Sequence, residues 1–180
     1  MAMRPNQIWS WDITYLKSAV RGQYYFLYLF MDIFSRKIVG FDVFNDESME
    51  NSSLLFNKIC GDEYIQKDQL VLHSDNGGPM KGATMLATLQ KLGVAPSFSR
   101  PRVSDDNPYS ESLFKTVKYN PGYPDTFSSI EKAKEWVTSF STWYNEEHMH
   151  SGIKFVTPSS RHNKLDKDIL LKGALGATSL

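Results

Sequence analysis

Apolar and polar residues alternate strictly from Gln7 to Tyr15. Trp9, Trp11, Ile13 and Tyr15 fall on one side, Ser10, Asp12 and Thr14 on the other, and a period of two predicts a strand. Gly22 breaks the chain. Tyr24–Phe34 is then rich in aromatics with no polar side, which predicts a strand buried on much of both faces. Arg36–Phe44 predicts a third strand after a tight turn at Phe34-Ser35, and three strands this close form an antiparallel meander most simply. The period then lengthens: Met49, Ser52, Leu55, Phe56 and Ile59 stand at helical spacing. Gln69–Ser74 predicts a short buried strand ending in the turn signal Asp75-Asn76-Gly77-Gly78. Ala83–Leu92 predicts a helix stopped by Gly93, and Val94–Ser99 a fifth strand. Asn107-Pro108 reads as a helix start, with Asn as cap and Pro in the first turn. Ser128-Ser129-Ile130-Glu131 has the form of a capping box. It opens the last clear helix, with the stripe Ile130, Ala133, Val137, Phe140 and Tyr144. The order β-β-β-α-β-α-β-α-α predicts an α/β domain: a five-stranded mixed sheet, an antiparallel meander plus parallel strands, with helices on both faces.

Composition narrows the class. The chain has 180 residues, 41% hydrophobic and 13% aromatic, enough for one domain with a real core and too apolar for disorder. A single cysteine, Cys60, excludes an internal disulfide framework and fits a reducing compartment. The longest apolar run, Tyr24–Met31, has eight residues against the roughly 20 of a membrane helix, and no signal segment opens the chain. The expectation is a soluble, cytoplasmic domain with no membrane partner. Twenty basic residues balance 20 acidic ones, unlike a generic nucleic-acid coat protein. The balance is uneven along the chain: residues 1–75 carry net −3, 76–124 net +3, 125–150 net −3 and 151–180 net +3. A neutral total is therefore compatible with one basic face.

Three carboxylates carry the candidate chemistry. Asp12 lies mid-strand, where burial is costly unless something pairs with it. Asp75 ends a buried strand as the backbone opens into a glycine turn, the place where ligand sites gather in open α/β sheets. Glu111 lies in the first turn of the helix that starts at Asn107-Pro108. If the first and fourth strands are neighbours, Asp12 and Asp75 converge and the Glu111 helix lies across them. Converging carboxylates repel. Hard divalent cations relieve the repulsion: Mg²⁺ takes oxygen ligands, using one or two carboxylates per ion. Two such ions about 3.5–4 Å apart serve phosphoryl displacement. No Cys/His cluster competes for zinc. Taken singly, each of these residues is as readily a cap or surface group, and spacing alone does not exclude Asp32, Asp42, Asp105 or Asp106 as rivals.

The segments W-S-W-D-I-T-Y around Asp12, H-S-D-N-G around Asp75 and D-N-P-Y-S-E-S-L-F-K-T-V-K through Glu111 resemble the catalytic core of insertion-sequence transposases and retroviral-type integrases, the Asp-Asp-35-Glu superfamily. Thirty-five residues separate Asp75 from Glu111, the spacing that names it, and Lys118 matches the family's basic residue seven places beyond the glutamate. Downstream, Y-N-E-E-H-M-H-S-G-I-K-F-V-T-P resembles the end of bacterial cores, departing at His148-Met149, where Arg-Pro is frequent. The resemblance spans about Arg4 to His162. It implies a ribonuclease H-like fold, Asp12, Asp75 and Glu111 as ligands of two Mg²⁺ ions (Mn²⁺ substituting), and cleavage of DNA at element ends. Transfer of a 3′-hydroxyl into target DNA follows, by a homo-oligomer acting at the nucleoid.

Around these positions, Glu111, Lys115 and Lys118 share one helix face, so both lysines are candidate phosphate contacts; an exposed Glu–Lys pair is the plainer account. Arg100 and Arg102, flanking Pro101, are candidate DNA contacts or solvated loop arginines. Asn76 either orients a water or phosphate or serves the turn. Trp9 and Trp11 read as core, His73 as packed, and His148 and His150 as loop residues near the end of the fold. Residues 1–165 are expected to form the catalytic core and 166–180 a C-terminal tail of open order. Eleven residues before Asp12 are too few for a helix-turn-helix, so the expectation is that the domain for recognising DNA ends is absent from this chain. Two other readings share these features: a ribonuclease H-like nuclease without strand transfer, and a decayed, non-catalytic DNA-binding fragment.

Overall fold

The structure is a computed structural model that describes residues 2–75, 81–99 and 108–177, with side chains through 171. Three antiparallel strands open it: β1 (Ile8–Lys17), β2 (Tyr24–Asp32) and β3 (Ile38–Phe44). Helix α1 (Met49–Asp62) leads to β4 (Val71–Ser74), then α2 (Ala83–Leu92) to β5 (Ala95–Phe98). Helices α3 (Pro108–Lys118) and α4 (Ile130–Glu146) follow, then a 3₁₀ turn (Ser151–Ile153), α5 (Pro158–His162) and α6 (Asp166–Ala177). The five strands form one sheet in the order β3-β2-β1-β4-β5, with β1–β4 and β4–β5 parallel. The mixed sheet with helices on both faces is thus as the patterning predicts, and α5 and α6 extend it beyond the last helix expected. A five-residue helix is too short to show a period, and Gly173 and Gly176 weaken the helical signal of α6.

The alternation of β1 sorts its side chains between two cores. Trp9 and Trp11 lie with Tyr28, Phe30 and Phe56 under α1 and α2; the Trp11 and Phe30 rings are parallel, with centroids 5.1 Å apart. Both tryptophans are fully buried, so neither is available to stack on a base. On the opposite face Leu16, Leu27, Leu29 and Met31 pack against Leu113 and Val117 of α3 and against Ala133, Val137, Phe140 and Tyr144 of α4. Gly40 of β3 permits the close approach of α1, since a Cβ there would sit 2.2 Å from Ile59 Cδ1. Cys60 is buried and unpaired, and burial pushes its thiol up to about 12.

Local caps set the helix ends. Ser48 and Ser129 accept from the backbone N–H groups of Asn51 and Lys132. The cap of α4 is therefore Ser129, one residue beyond the start of the capping-box pattern. Gly93 closes α2 at φ 66°, the left-handed C-terminal position expected of it. Thr157 caps α5, with Pro158 in its first turn.

A polar cluster ties the C-terminal elements to the sheet edge. Asp32, wholly buried, accepts from Asn6 N (2.8 Å) and from the backbone N and hydroxyl of Ser35 (2.7 Å each). The Ser35 proton is thereby committed, so His162 Nδ1, 2.9 Å from Ser35 Oγ, is the donor in that contact. His162 Nε2 faces Glu63 Oε2 at 3.3 Å. Burial opposes charge on this ring, but its bonds toward Asp32 and Glu63 prevail and raise its pKa. Lys37 completes the cluster with a 2.8 Å ion pair to Glu63. Asp32 is accounted for as a turn anchor, and Asp42 by its ion pair with Lys134.

Candidate active site

Parallel pairing of β1 with β4 places Ser10 opposite His73. Asp12 lies two residues further along β1, and Asp75 two residues past His73 as the first residue beyond β4, so the two carboxylates follow this pair on the same side. The condition stated from the sequence, that the first and fourth strands are neighbours, is met by the sheet order. On this face β1 carries Ser10, Asp12 and Thr14, the stripe that the alternation marks as polar. Instead of meeting solvent it lies beneath α3: Ser10 is 0% exposed and Thr14 5%.

Helix α3 is anchored at the same level. Ser110 Oγ lies 2.8 Å from Ser10 Oγ, and both hydroxyls are buried. Glu111 is the next residue, exposed in the first turn of α3, where a negative charge also suits the helix dipole. Leu113 and Val117 hold the opposite side of α3 in the core. The Ser10–Ser110 contact is a feature that sequence reasoning missed. Its signal was present, since Ser10 shares the parity of Asp12 and Ser110 adjoins Glu111, but nothing local pairs residues 100 positions apart.

Electrostatics show that the three carboxylates share one field. Burial pushes the Asp12 carboxyl up to about 7; the Ile13 N–H, bonded to Oδ1 at 2.8 Å, opposes this, while Asp75 and Glu111 add to it. Glu47, which the sequence reading did not single out, contributes to the same field. Among the described residues no group of three or more His, Cys, Asp or Glu side chains is drawn closely enough together to hold a metal ion by itself. The structure thus brings Asp12 and Asp75 side by side and Glu111 to their flank, without closing the three around one point. The donors are all carboxylate oxygens, Asp12 and Asp75 half-buried and Glu111 exposed, which is the ligand chemistry of Mg²⁺ or Mn²⁺ and not of a soft metal.

Lys115 and Lys118 are exposed on the same face of α3 as Glu111, as their spacing predicts. His73 Nδ1 contacts Ser97 Oγ at 3.1 Å, a packing role. His148 stacks on Tyr144 (centroids 5.3 Å), and His150 Nδ1 accepts from Gly152 N. Asn76, Arg100 and Arg102 lie outside the described residues, as do the turn after Asp75, the Asn107 cap, Asp105 and Asp106. No helix among the described residues is long and apolar enough to cross a membrane.

Comparison with known proteins places this arrangement among relatives. A family model described as "Integrase core domain" matches residues 2–104, and a second of the same description matches 92–158. The transposase for insertion sequence element IS904 of Lactococcus lactis is 32% identical over 160 residues, 87% of this chain and 61% of that protein. The putative transposase InsK for insertion sequence element IS150 of Escherichia coli is 30% identical over 167 residues, 91% of this chain and 56% of its own length. The chain therefore spans little more than half the length of these relatives. Among solved structures, the HTLV-2 integrase catalytic core domain in complex with magnesium superposes with a TM-score of 0.68 at 16% identity, covering 90% of this chain and 99% of that one. The core domain of BIV integrase gives 0.67 at 14%, covering 92% and 99%. The fold is that of the retroviral integrase catalytic cores, the ribonuclease H-like fold expected.

Proposed function

The chain belongs to the integrase core domain family, and on that footing we propose that it is the catalytic core of a bacterial insertion-sequence transposase, cutting DNA at element ends and joining them to target DNA. The observation that carries this reading is the β1–β4 register, which leads Asp12 and Asp75 out on the same side while Ser10 and Ser110 dock the Glu111 helix beside them. In this reading the three carboxylates hold two Mg²⁺ ions, with Mn²⁺ as a substitute. Mg²⁺ commonly takes one or two protein carboxylates and completes its shell with water and substrate phosphates. A site that stands open until DNA arrives fits that habit. When bound, the ions supply charge that activates the attacking hydroxyl and steadies the leaving oxygen.

The protein's own part is positioning. Asp12 is held within β1, Asp75 follows directly on the last residue of β4, and Glu111 is set by the buried end of α3. Lys115 and Lys118, one and two turns along the same helix face, are placed to hold phosphates of the bound strand. Asn76, Arg100 and Arg102 are proposed as further DNA contacts from the sequence pattern. The attack is in line, and catalysis comes from orientation and preorganised charge, with no covalent enzyme intermediate. Assembly of two DNA ends calls for more than one copy of the chain, so the active form is proposed to be a homo-oligomer.

The test is a Mn²⁺ titration followed by water-proton relaxation, comparing the wild-type chain with Asp75→Asn, alone and with a DNA duplex. Binding that weakens strongly in the variant is expected, and equal binding by both would remove Asp75 from the ligand set. Joining of a labelled 3′-hydroxyl strand to a second duplex separates a transposase from a nuclease that releases only hydrolysed ends.

A further inference from the structure

Helices α5 and α6 are held to the rest of the domain mostly by polar contacts. The buried side chains of α5 are Pro158, Ser159 and His162, of which only the proline is apolar. Just before and within α6, Leu165, Ile169 and Leu171 remain exposed. Segments with so little apolar burial open at lower cost than the core. Ser159 donates to Glu146 at the end of α4. Toward the turn between β2 and β3 the hold is carried by two neighbouring side chains. Arg161 Nε donates to the Phe34 carbonyl at 3.1 Å, with the guanidinium over the Phe34 ring, and an arginine keeps its charge at every working pH. His162 does not.

Both nitrogens of the His162 ring face acceptors. Nδ1 lies 2.9 Å from Ser35 Oγ, whose single proton goes to Asp32 Oδ1 at 2.7 Å. Nε2 lies 3.3 Å from Glu63 Oε2, and Lys37, 2.8 Å from the other oxygen, keeps Glu63 a carboxylate. Only the doubly protonated ring donates at both places. A neutral ring either turns a lone pair toward Glu63 or competes with Asp32 for the Ser35 proton. Both failures are buried, where an unmet polar group is costly. The charged groups around the ring are Asp32 from β2, Glu63 beyond α1 and Lys37 ahead of β3; on its own segment Arg161 pairs with Asp166 at 2.9 Å. Burial opposes charge on the ring, Asp32 and Glu63 favour it and prevail, and Lys37 opposes it more weakly.

We propose that His162 is a proton-operated latch: its imidazolium docks α5 and α6 on the turn between β2 and β3, and loss of the proton releases them while the sheet stays folded. The latch goes beyond the DNA-cleaving reading and does not rest on it, since it needs neither metal nor DNA. Its direction follows from the contacts. The docked ring is charged, and the released ring returns to its ordinary pKa of about 6.5. Docking is therefore complete below that value and weakens as pH climbs toward the higher pKa of the docked ring. Within that window one proton leaves with each release, so the opening equilibrium rises about tenfold per pH unit.

Amide hydrogen exchange of the whole chain, followed by NMR from pH 6 to 8.5 and corrected for the intrinsic pH dependence of exchange, tests the latch. The amides of Arg161, Asn163 and Leu165 are bonded within the α5 turn, and a five-residue helix does not persist undocked, so they report release. Their opening is expected to exceed that of Leu27 and Leu29 in β2 and to rise about tenfold per pH unit above 6.5 before levelling. Two variants should abolish the rise: His162→Gln, which cannot titrate, and Glu63→Gln, whose amide donates to a neutral ring nitrogen. Protection of Leu27 and Leu29 shows that each variant is folded; should neither fold, the wild-type ring decides, its carbon-bound protons titrating above 6.5 at the pH where opening levels. Opening that does not change with pH overturns the latch. Exchange at the rate of the β2 amides at every pH also overturns it, because the helices then part only when the whole domain unfolds. So does a rise that persists in both variants, which assigns the proton to another group.

Discussion

Replacing Ser110 by Ala tests whether the buried contact between α3 and β1 sets the height of Glu111. The Ser10 and Ser110 hydroxyls are 2.8 Å apart and sealed from water, so removing one withdraws a hydrogen bond that water cannot replace. The expected loss is roughly 1–2 kcal/mol, read as a fall of about 3–6 °C in melting temperature for a domain of this size. Ala is the better helix former, so propensity works against the loss. Ser10→Ala should cost a similar amount. The double variant should cost less than the two together by about 1 kcal/mol, since neither hydroxyl is then left without the other. Rate should behave differently. A displacement of about 1 Å at a positioned group lowers turnover by up to about a hundredfold. Strand cleavage in Mn²⁺ should therefore drop in both single variants and stay low in the double, while DNA affinity, carried by residues away from the contact, holds. Singles that lose stability but cleave at the wild-type rate would show that the contact only supports the fold. Strictly additive stability losses would show that the two hydroxyls do not interact.

Asp12→Asn should stabilise the metal-free protein at alkaline pH. A carboxyl raised by burial and neighbouring charge to about 7 favours the protonated folded state, so wild-type stability falls as pH rises from about 4 to about 7, by at most about 4 kcal/mol. Melting curves in EDTA should show that slope in wild type and its loss in the variant; parallel curves would refute the burial argument. Glu63 behaves oppositely. Burial raises it, but hydrogen bonds from His162, Lys37 and Asn6 win and hold it at about 2. Its stabilisation, about 3 kcal/mol, is present above pH 4.5 and lost as pH falls toward 2, so Glu63→Gln should hurt at pH 6 and matter little near pH 2 in urea titrations. His162, whose pKa is raised, contributes stability that is complete below its ordinary value of 6.5 and lost as pH climbs through its folded value. His162→Gln should therefore flatten the alkaline limb of the same curve. Lys118→Ala should weaken binding of any duplex and reduce the slope of log affinity against log salt by about 1, the signature of one phosphate contact; an unchanged slope would remove Lys118 from the interface.

Elements that depend on neighbours in the chain were legible before any fold was known. The two-residue period of β1, the Gly93 stop, the helical stripe of α4 and the Pro108 start all reflect local sterics, hydrogen bonds and apolar spacing, which a reader of residues can sum. The resemblance singled out Asp12, Asp75 and Glu111 as expected ligands, and that role is the one proposed above. Other facts rest on pairings across tens of residues, each too weak to be read alone. That β4 lies parallel against β1, in a register that sets Asp75 beside Asp12, follows from how two cores fill around Trp9, Trp11 and Leu72 on one face and Leu16, Leu29 and Val117 on the other. That Asp32 anchors a turn, that Ser10 meets Ser110, and that the Arg36 guanidinium lies over the Tyr109 ring are consequences of the same packing. Single-residue chemistry is written locally, but proximity is a cooperative outcome of burial over the whole sheet, and it emerges only when the chain closes on itself.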